Sequence, residues 1–162
     1  MIIRLPRLLR EERGSVTIEL AFVAPVLALV IAGVSDVSIA YGRELELEQA
    51  AQRSIEKVMQ TTGAETAAAT IQKEAVCQIN GANDDGTCKS GRISTDNVTV
   101  TYSLKCNGAA VSYSSDCTAG QTEVRYIQTV VTDTYRPVFA RSFGTASDGT
   151  YHLRATAGVR VQ

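Results

Sequence analysis

Residues 13–35 of the 162-residue chain have the sequence RGSVTIELAFVAPVLALVIAGVS. From Val16 to Ser35 this stretch has twenty residues, and Glu19 is the only charged one among them. About twenty apolar residues cross the hydrocarbon core of a bilayer as a helix, so the stretch predicts a membrane span. A charge inside such a span costs roughly 2.5–3.5 kcal/mol on insertion scales. The carboxylate of Glu19 therefore indicates a function that requires a partner.

The residues on either side of the apolar run predict how the span is oriented. Residues 1–14, here called the leader, contain four arginines and two glutamates. The residues after the run are acidic and include Glu44, Glu46 and Glu48. Because arginine and lysine are retained on the cytoplasmic side, the leader is expected in the cytoplasm and the remainder of the chain across the membrane.

The pattern around Glu19 resembles the amino-terminal region of TadE-like minor pilins, which are pseudopilins of Tad (Flp, tight adherence) pilus systems. The family pattern is a glycine, a short spacer, an acid followed by an apolar or aromatic residue, and a proline a few residues later. In this chain those positions are Gly14, Glu19, Leu20 and Pro25. The resemblance covers roughly residues 13–58, and the remaining two-thirds of the chain contains no assignable motif.

The resemblance implies a minor pilin that assembles, primes or caps a pilus and is not an enzyme. A prepilin peptidase would cut between Gly14 and Ser15, and the carboxylate of Glu19 would pair with the Ser15 amino group of a neighbouring subunit. The implied partners are this peptidase, other pilins or pseudopilins, inner-membrane pilus assembly proteins and membrane lipid. The chain would cross the bacterial inner membrane once, with its carboxy-terminal domain in the periplasm, and would stay there or enter the pilus.

Two other interpretations of the apolar run remain open. In one, an ordinary signal peptidase cuts after residues 30–32 (Val-Ile-Ala) and releases a secreted binding module that begins at Gly33. In the other, the run is a plain membrane anchor of a periplasmic binding module. Glu19 disfavours both, because neither a signal peptide nor a simple anchor uses a carboxylate in its apolar core. The mature amino terminus, Ser15 or Gly33, distinguishes the pilin from the secreted module.

The four cysteines all follow the apolar run, on the side predicted to be oxidising. The chain has no Cys-x-x-Cys motif and a single histidine, so disulfides are favoured over a zinc site. Four cysteines allow three connectivities. We expect Cys77 to pair with Cys88 and Cys106 with Cys117, because each bond closes a short loop rich in turn residues.

Two helices are predicted before any strand. The first covers residues 16–60, and its apolar stripe continues beyond the membrane through Leu47, Ala51, Ile55 and Val58. Thr62 and Glu65 fit a capping box, so a second helix is predicted from Thr62 to about residue 79. We expect its inward-facing residues to be Ala68, Ile71 and Ala75.

The remainder of the chain is predicted to be β-structure. Residues 98–106 and 151–161 alternate strictly between apolar and polar residues, and residues 124–135 form a less regular β-rich segment that is either a central strand or bulged. The expected fold class is α+β, with an antiparallel sheet that packs one face on the helices. The predicted divisions are a leader at 1–14, a transmembrane and amphipathic helix at 15–60, and a periplasmic α+β domain at 61–162.

Several other polar and aromatic residues are assigned no function. Asp36 is expected to mark the membrane–water interface, and His152 is expected in solvent. Residues 83–86 do not have the carboxylate spacing of a calcium loop. Tyr126, Tyr135 and Phe139 are expected in core or sheet packing, and Arg136 and Arg141 in solvent. The net charge is −1 and no basic block follows the leader, so no nucleic acid partner is expected. No metal or cofactor is expected either.

Overall fold

The computed structural model describes residues 13–138 and 144–161, with the backbone alone for residues 13–16. Most of the predicted leader, together with Phe139 and Arg141, lies outside the described residues. The helices and strands, in chain order, are α1 (Arg13–Gln60), α2 (Ala68–Asn80), β1 (Val98–Cys106), β2 (Ala109–Val111), β3 (Glu123–Tyr135) and β4 (Tyr151–Arg160). This order confirms the predicted α+β class with a long amino-terminal helix.

Helix α1 is continuous over 48 residues, which corresponds to about 72 Å at 1.5 Å per residue. Pro25 lies inside the helix and does not end it. The predicted apolar stripe of its second half is confirmed, since all four of its residues are buried: Leu47, Ala51, Ile55 and Val58. The large apolar side chains of its first half are exposed instead. The second half of α1 is therefore packed in a protein core, whereas the first half leaves its apolar side chains exposed.

The four strands form one antiparallel sheet in the order β2-β1-β3-β4. The central strand, β3, pairs with β1 from Val98↔Val131 to Cys106↔Glu123 without a break in register. It pairs equally regularly with β4, ending at Tyr135↔Tyr151. The less regular β-rich segment is thus a central strand without a bulge.

One face of the sheet packs on the helices, as the alternation predicted. A larger core cluster joins α1, α2 and the sheet and includes Leu47, Ala75, Val131 and Leu153. A second cluster, composed of Ile55, Val58, Ile71 and Ile127, continues the same interface towards the end of α1. The second half of α1 therefore belongs to the core of the sheet domain.

The predicted capping box at Thr62 is wrong. The Thr62 side chain makes no cap hydrogen bond, residues 63–65 form a short 3-10 turn, and α2 begins only at Ala68. Thr66 explains the difference, because its backbone carbonyl accepts a hydrogen bond from the Tyr102 hydroxyl at 2.6 Å. This bond to a strand holds the preceding residues in a turn where local sequence favoured a helix.

A capping box occurs instead before β1. The Ser94 side chain accepts a hydrogen bond from the backbone of the following turn, and the Asn97 side chain accepts one from the Ser94 backbone. An asparagine there replaces the glutamate or glutamine of the usual motif.

The two disulfides join the expected pairs, Cys77–Cys88 and Cys106–Cys117. The first ties α2 to the loop that follows it, and the second ties the end of β1 to the loop after β2. Strand β2 itself was not predicted, because it has only three residues and all of them are exposed. With no buried face, it leaves no alternating pattern in the sequence.

The role of α1 in the core predicts different stabilities for two neighbouring leucine variants. Leu47 is 0% exposed and Leu45 is 39% exposed on the same helix. Leu47→Ala should lower the free energy of unfolding by about 2–5 kcal/mol, because it leaves a cavity in the core. Leu45→Ala, with the same change in helix propensity, should change it by about 0.5 kcal/mol or less. Urea denaturation of the detergent-solubilised chains measures both, and equal losses would contradict the packing described.

Candidate functional site

Helix α1 presents a long apolar surface between residues 18 and 41. Its exposed large apolar residues are Ile18, Leu20, Phe22, Val23, Val26, Leu27, Leu29, Val30, Ile31, Val34, Val37, Ile39 and Tyr41. Over the described residues, α1 is the one helix long and apolar enough to cross a membrane. Contiguous apolar surfaces of this size mark contact with a membrane or another protein. This surface fits a membrane anchor.

Glu19 lies near the start of this apolar surface, and its side chain is exposed. Gly14 and Ser15 lie in the first turn of α1, where the structure describes the backbone alone. Residues four apart share one face of a helix, so Glu19 lies one turn after Ser15 on the same face. The structure thus places the three residues singled out by the sequence at the same end of the apolar helix.

Asp36 ends the apolar run, but its side chain is not at an interface with solvent. The residue is fully buried, and its Oδ1 atom accepts hydrogen bonds from the Tyr135 hydroxyl at 3.0 Å and the Val138 backbone N–H at 2.9 Å. The Asp36 side chain is therefore packed inside the protein, and the expectation that Asp36 marks the membrane–water interface stays a prediction. The partners lie about a hundred residues away along the chain, so local sequence gave no signal for them.

A charged cluster continues from Asp36 along the contact between α1 and β3. The buried Asp133 carboxylate lies 2.8 Å from Arg92 Nε and 3.7 Å from an Arg43 guanidinium nitrogen. Arg92 also donates to the Glu46 carboxylate at 2.6 Å. Two carboxylates and two arginines thus neutralise one another where the helix meets the sheet. A buried charge without such a partner would destabilise the fold.

Tyr135 links this cluster to Asp36. The Arg43 guanidinium stacks over the Tyr135 ring, 4.6 Å from its centroid. Burial, and then the hydrogen bond to Asp36, raise the pKa of the Tyr135 hydroxyl. The hydroxyl therefore remains a proton donor to Asp36 at neutral pH. The expectation that Tyr135 packs in the core is confirmed.

A second polar cluster surrounds Arg125 at the other end of β3. Its guanidinium donates to the backbone carbonyls of Tyr113 and Ser115 and, at 2.6 Å, to the Glu123 carboxylate. The hydrogen bond from Arg125 lowers the pKa of Glu123. These bonds hold the loop that contains Cys117 against the sheet, so the cluster has a structural role.

The remaining polar candidates lie at the surface, in turns or at the start of β4. His152 is exposed, as expected, and its Nε2 atom is 2.9 Å from the Asp148 carboxylate. Two hydrogen bonds from Thr150, with a smaller contribution from His152, lower the pKa of Asp148. Asp85 likewise accepts two hydrogen bonds from Thr87. Both aspartates thus stabilise their own turns.

The bonds of Asp36 predict a large loss of stability when its carboxylate is removed. Asp36→Ala leaves the Tyr135 hydroxyl and the Val138 N–H without their acceptor, at about 1–3 kcal/mol for each buried group. Ser38→Ala is the control, because that hydroxyl is exposed and bonds only to the Val34 carbonyl of its own helix. Thermal or urea unfolding in detergent should show a clear loss for the first variant and little for the second. Wild-type stability of Asp36→Ala would refute the role of this carboxylate.

Comparison with models of protein families gives a match that lies on this helix. Residues 14–55 match the family model described as TadE-like protein. Neither the comparison with curated proteins nor that with solved structures finds a match to the chain. The matched segment begins at Gly14, contains Glu19 and Asp36, and ends in the core-packed half of α1. Over this segment the chain is similar to TadE-like proteins, which confirms the resemblance found in its sequence.

Proposed function

We propose that this protein assembles, primes or caps a Tad (Flp) pilus after a prepilin peptidase has removed the leader between Gly14 and Ser15. The mature chain is held in the bacterial inner membrane by α1, with its disulfide-bonded domain in the periplasm. It acts by binding other pilins or pseudopilins and inner-membrane assembly proteins, and not as an enzyme. It either remains in the membrane or enters the pilus.

The TadE-like match over residues 14–55 is the single observation that carries this proposal. It begins at the residue before the proposed cleavage site and includes the carboxylate of Glu19. The exposed apolar half of α1 supports it, because such a surface can contact lipid before assembly and other pilin helices afterwards. The two disulfides support a periplasmic location, since disulfides persist in oxidising compartments.

The competing function is a periplasmic binding module with an ordinary signal peptide or anchor. In the secreted form, cleavage falls between Ala32 and Gly33, inside the continuous helix α1 and only a few residues before the buried Asp36. The mature protein would then lose the segment that contains Gly14 and Glu19, on which the family match rests. The mature amino terminus separates these possibilities.

We expect the mature chain to begin at Ser15, and Gly14→Val to retain the leader because a bulky side chain does not fit a peptidase site that requires glycine. Gly33→Val is the matched control, since a side chain there meets no atom within 4 Å. It should be processed normally. Intact-mass spectrometry of both the membrane and the soluble fractions measures the wild type and the two variants. A mature wild-type chain that begins at Gly33 would establish the secreted module, and normal maturation of Gly14→Val would refute pilin-type processing.

Within the proposed function, Glu19 pairs with a newly formed amino group. Cleavage leaves the Ser15 amine, which is mostly protonated at neutral pH. Inside an apolar environment each of the two charges is costly alone, and their pairing offsets part of that cost. Because Glu19 and Ser15 lie at the same end of α1, a neighbouring subunit that packs beside this helix brings its amine close to the carboxylate.

This pairing predicts that Glu19→Ala weakens association with partner pilins while leaving membrane insertion and processing intact. The loss should be roughly ten- to hundredfold, because a hydrogen bond to a charged group contributes about 1.5–3 kcal/mol. Glu19→Gln removes the charge but keeps a hydrogen-bond acceptor, so it separates the two contributions. Glu19→Asp should cause partial damage, because its shorter side chain misplaces the charge.

Glu48→Ala is the control, since it removes an exposed carboxylate from the same helix outside the span. Crosslinking to pilus components in intact membranes is the measurement, with membrane fractionation and mature mass recorded for every variant. Wild-type crosslinking of Glu19→Ala at normal expression would reject the pairing and leave Glu19 as a residue that faces lipid headgroups.

A further inference from the structure

The position of Asp36 defines where the membrane should end along α1. The twenty residues 16–35 span about 30 Å as a helix, which is the thickness of the hydrocarbon core. Asp36 follows immediately. Any residue fixed to Asp36 therefore lies close to the outer boundary of the hydrocarbon core when the span is in a bilayer.

Val138 is fixed at this level by its backbone hydrogen bond to Asp36, with a donor–acceptor distance of 2.9 Å. Its side chain is nevertheless 72% exposed, although the preceding Pro137 is buried. The other exposed large apolar side chains described outside α1 are Val111 at 41% and Tyr126 at 38%. The most exposed apolar side chain of the sheet domain thus lies at the end of the domain nearest to the membrane.

Helix α1 presents a similar surface at the same level. Val37 and Tyr41 are exposed, whereas Ala40, on another side of the helix, is buried against the domain. Tyrosine is enriched at membrane interfaces, where its ring lies among headgroups and its hydroxyl remains hydrated. Arg136, two residues before Val138, adds an exposed cation that suits a layer containing phosphates.

We propose that residues 136–138, together with Val37 and Tyr41, form a second membrane contact that lies in the outer headgroup layer. This inference rests on the membrane anchoring proposed above. Lipid is the occupant because Val37 and Tyr41 continue the exposed apolar surface of the span, and Val138 is held near their level by its bond to Asp36. The contact holds the carboxy-terminal end of β3 against the bilayer. The opposite end of the sheet, where Val111 lies, is thereby directed away from the bilayer.

The consequence for function concerns extraction from the membrane. Val138 is hydrogen-bonded to Asp36, so it moves with α1. A subunit that leaves the bilayer therefore also exposes the apolar side chains of this contact to water. A neighbouring subunit must then cover it. The contact therefore disfavours release of an isolated subunit and favours release together with a partner.

A single introduced tryptophan can test the contact, since the chain contains no tryptophan. Val138→Trp reports on the proposed contact. Val111→Trp is the matched control, because it makes the same change at an exposed valine at the far end of the sheet. Phe22→Trp reports on the span itself. Each full-length chain is reconstituted into phosphatidylglycerol-containing vesicles, and its fluorescence is recorded without bromine, with lipids brominated close to the headgroups, and with lipids brominated near the middle of the bilayer.

We expect Val138→Trp to be blue-shifted relative to Val111→Trp and to lose fluorescence to the brominated lipid, while Val111→Trp loses none. If Phe22→Trp is quenched and Val138→Trp behaves like Val111→Trp, the second contact is refuted while the anchor stands. A blue shift of Val138→Trp without quenching would also refute it, because the residue would then be buried against protein. If Phe22→Trp is not quenched either, the anchoring on which the inference rests is itself wrong.

Discussion

The buried carboxylate of Asp36 is the constraint on which the arrangement of this protein depends. It lies where α1 changes from a helix surrounded by exposed apolar side chains to one packed in a protein core. Hydrogen bonds from Tyr135 and Val138 tie the end of the central strand to that point. Because an unpaired buried carboxylate would be strongly unfavourable, these bonds permit few other positions of the sheet along the helix.

The sheet in turn depends on the second half of α1. A small antiparallel sheet with one apolar face requires a cover to be stable in water. Leu47, Val58 and their buried neighbours supply that cover together with the shorter helix α2. The charged cluster of Arg43, Arg92 and Asp133 adds a fixed polar contact beside it. The membrane-anchor helix and the sheet domain therefore share one packed core, although the sequence predicted a division after residue 60.

The features that sequence could predict are those with a local or periodic signal. The stripe through Leu47, the alternating strands β1 and β4, and the pairing of Cys77 with Cys88 all follow from spacing within short segments. The features it missed depend on contacts between distant segments. Asp36 and Tyr135 are 99 residues apart, and the turn at Thr66 is held by Tyr102. The positions of Gly14 and Glu19 in the TadE-like pattern were visible because they lie within a few residues of each other.

In the proposed function, the continuity of α1 limits how the subunit can move during assembly. A helix without a break transmits displacement along its axis, and the sheet domain is packed directly on its second half. The exposed apolar half cannot leave lipid for water, because burying apolar surface is worth about 25 cal/mol per Å² and many large side chains are involved. It can only exchange lipid for the surfaces of other apolar helices. In the proposed function, a subunit of this design therefore leaves the membrane as part of an assembly, and Glu19 would be the polar group that distinguishes a pilin neighbour from lipid.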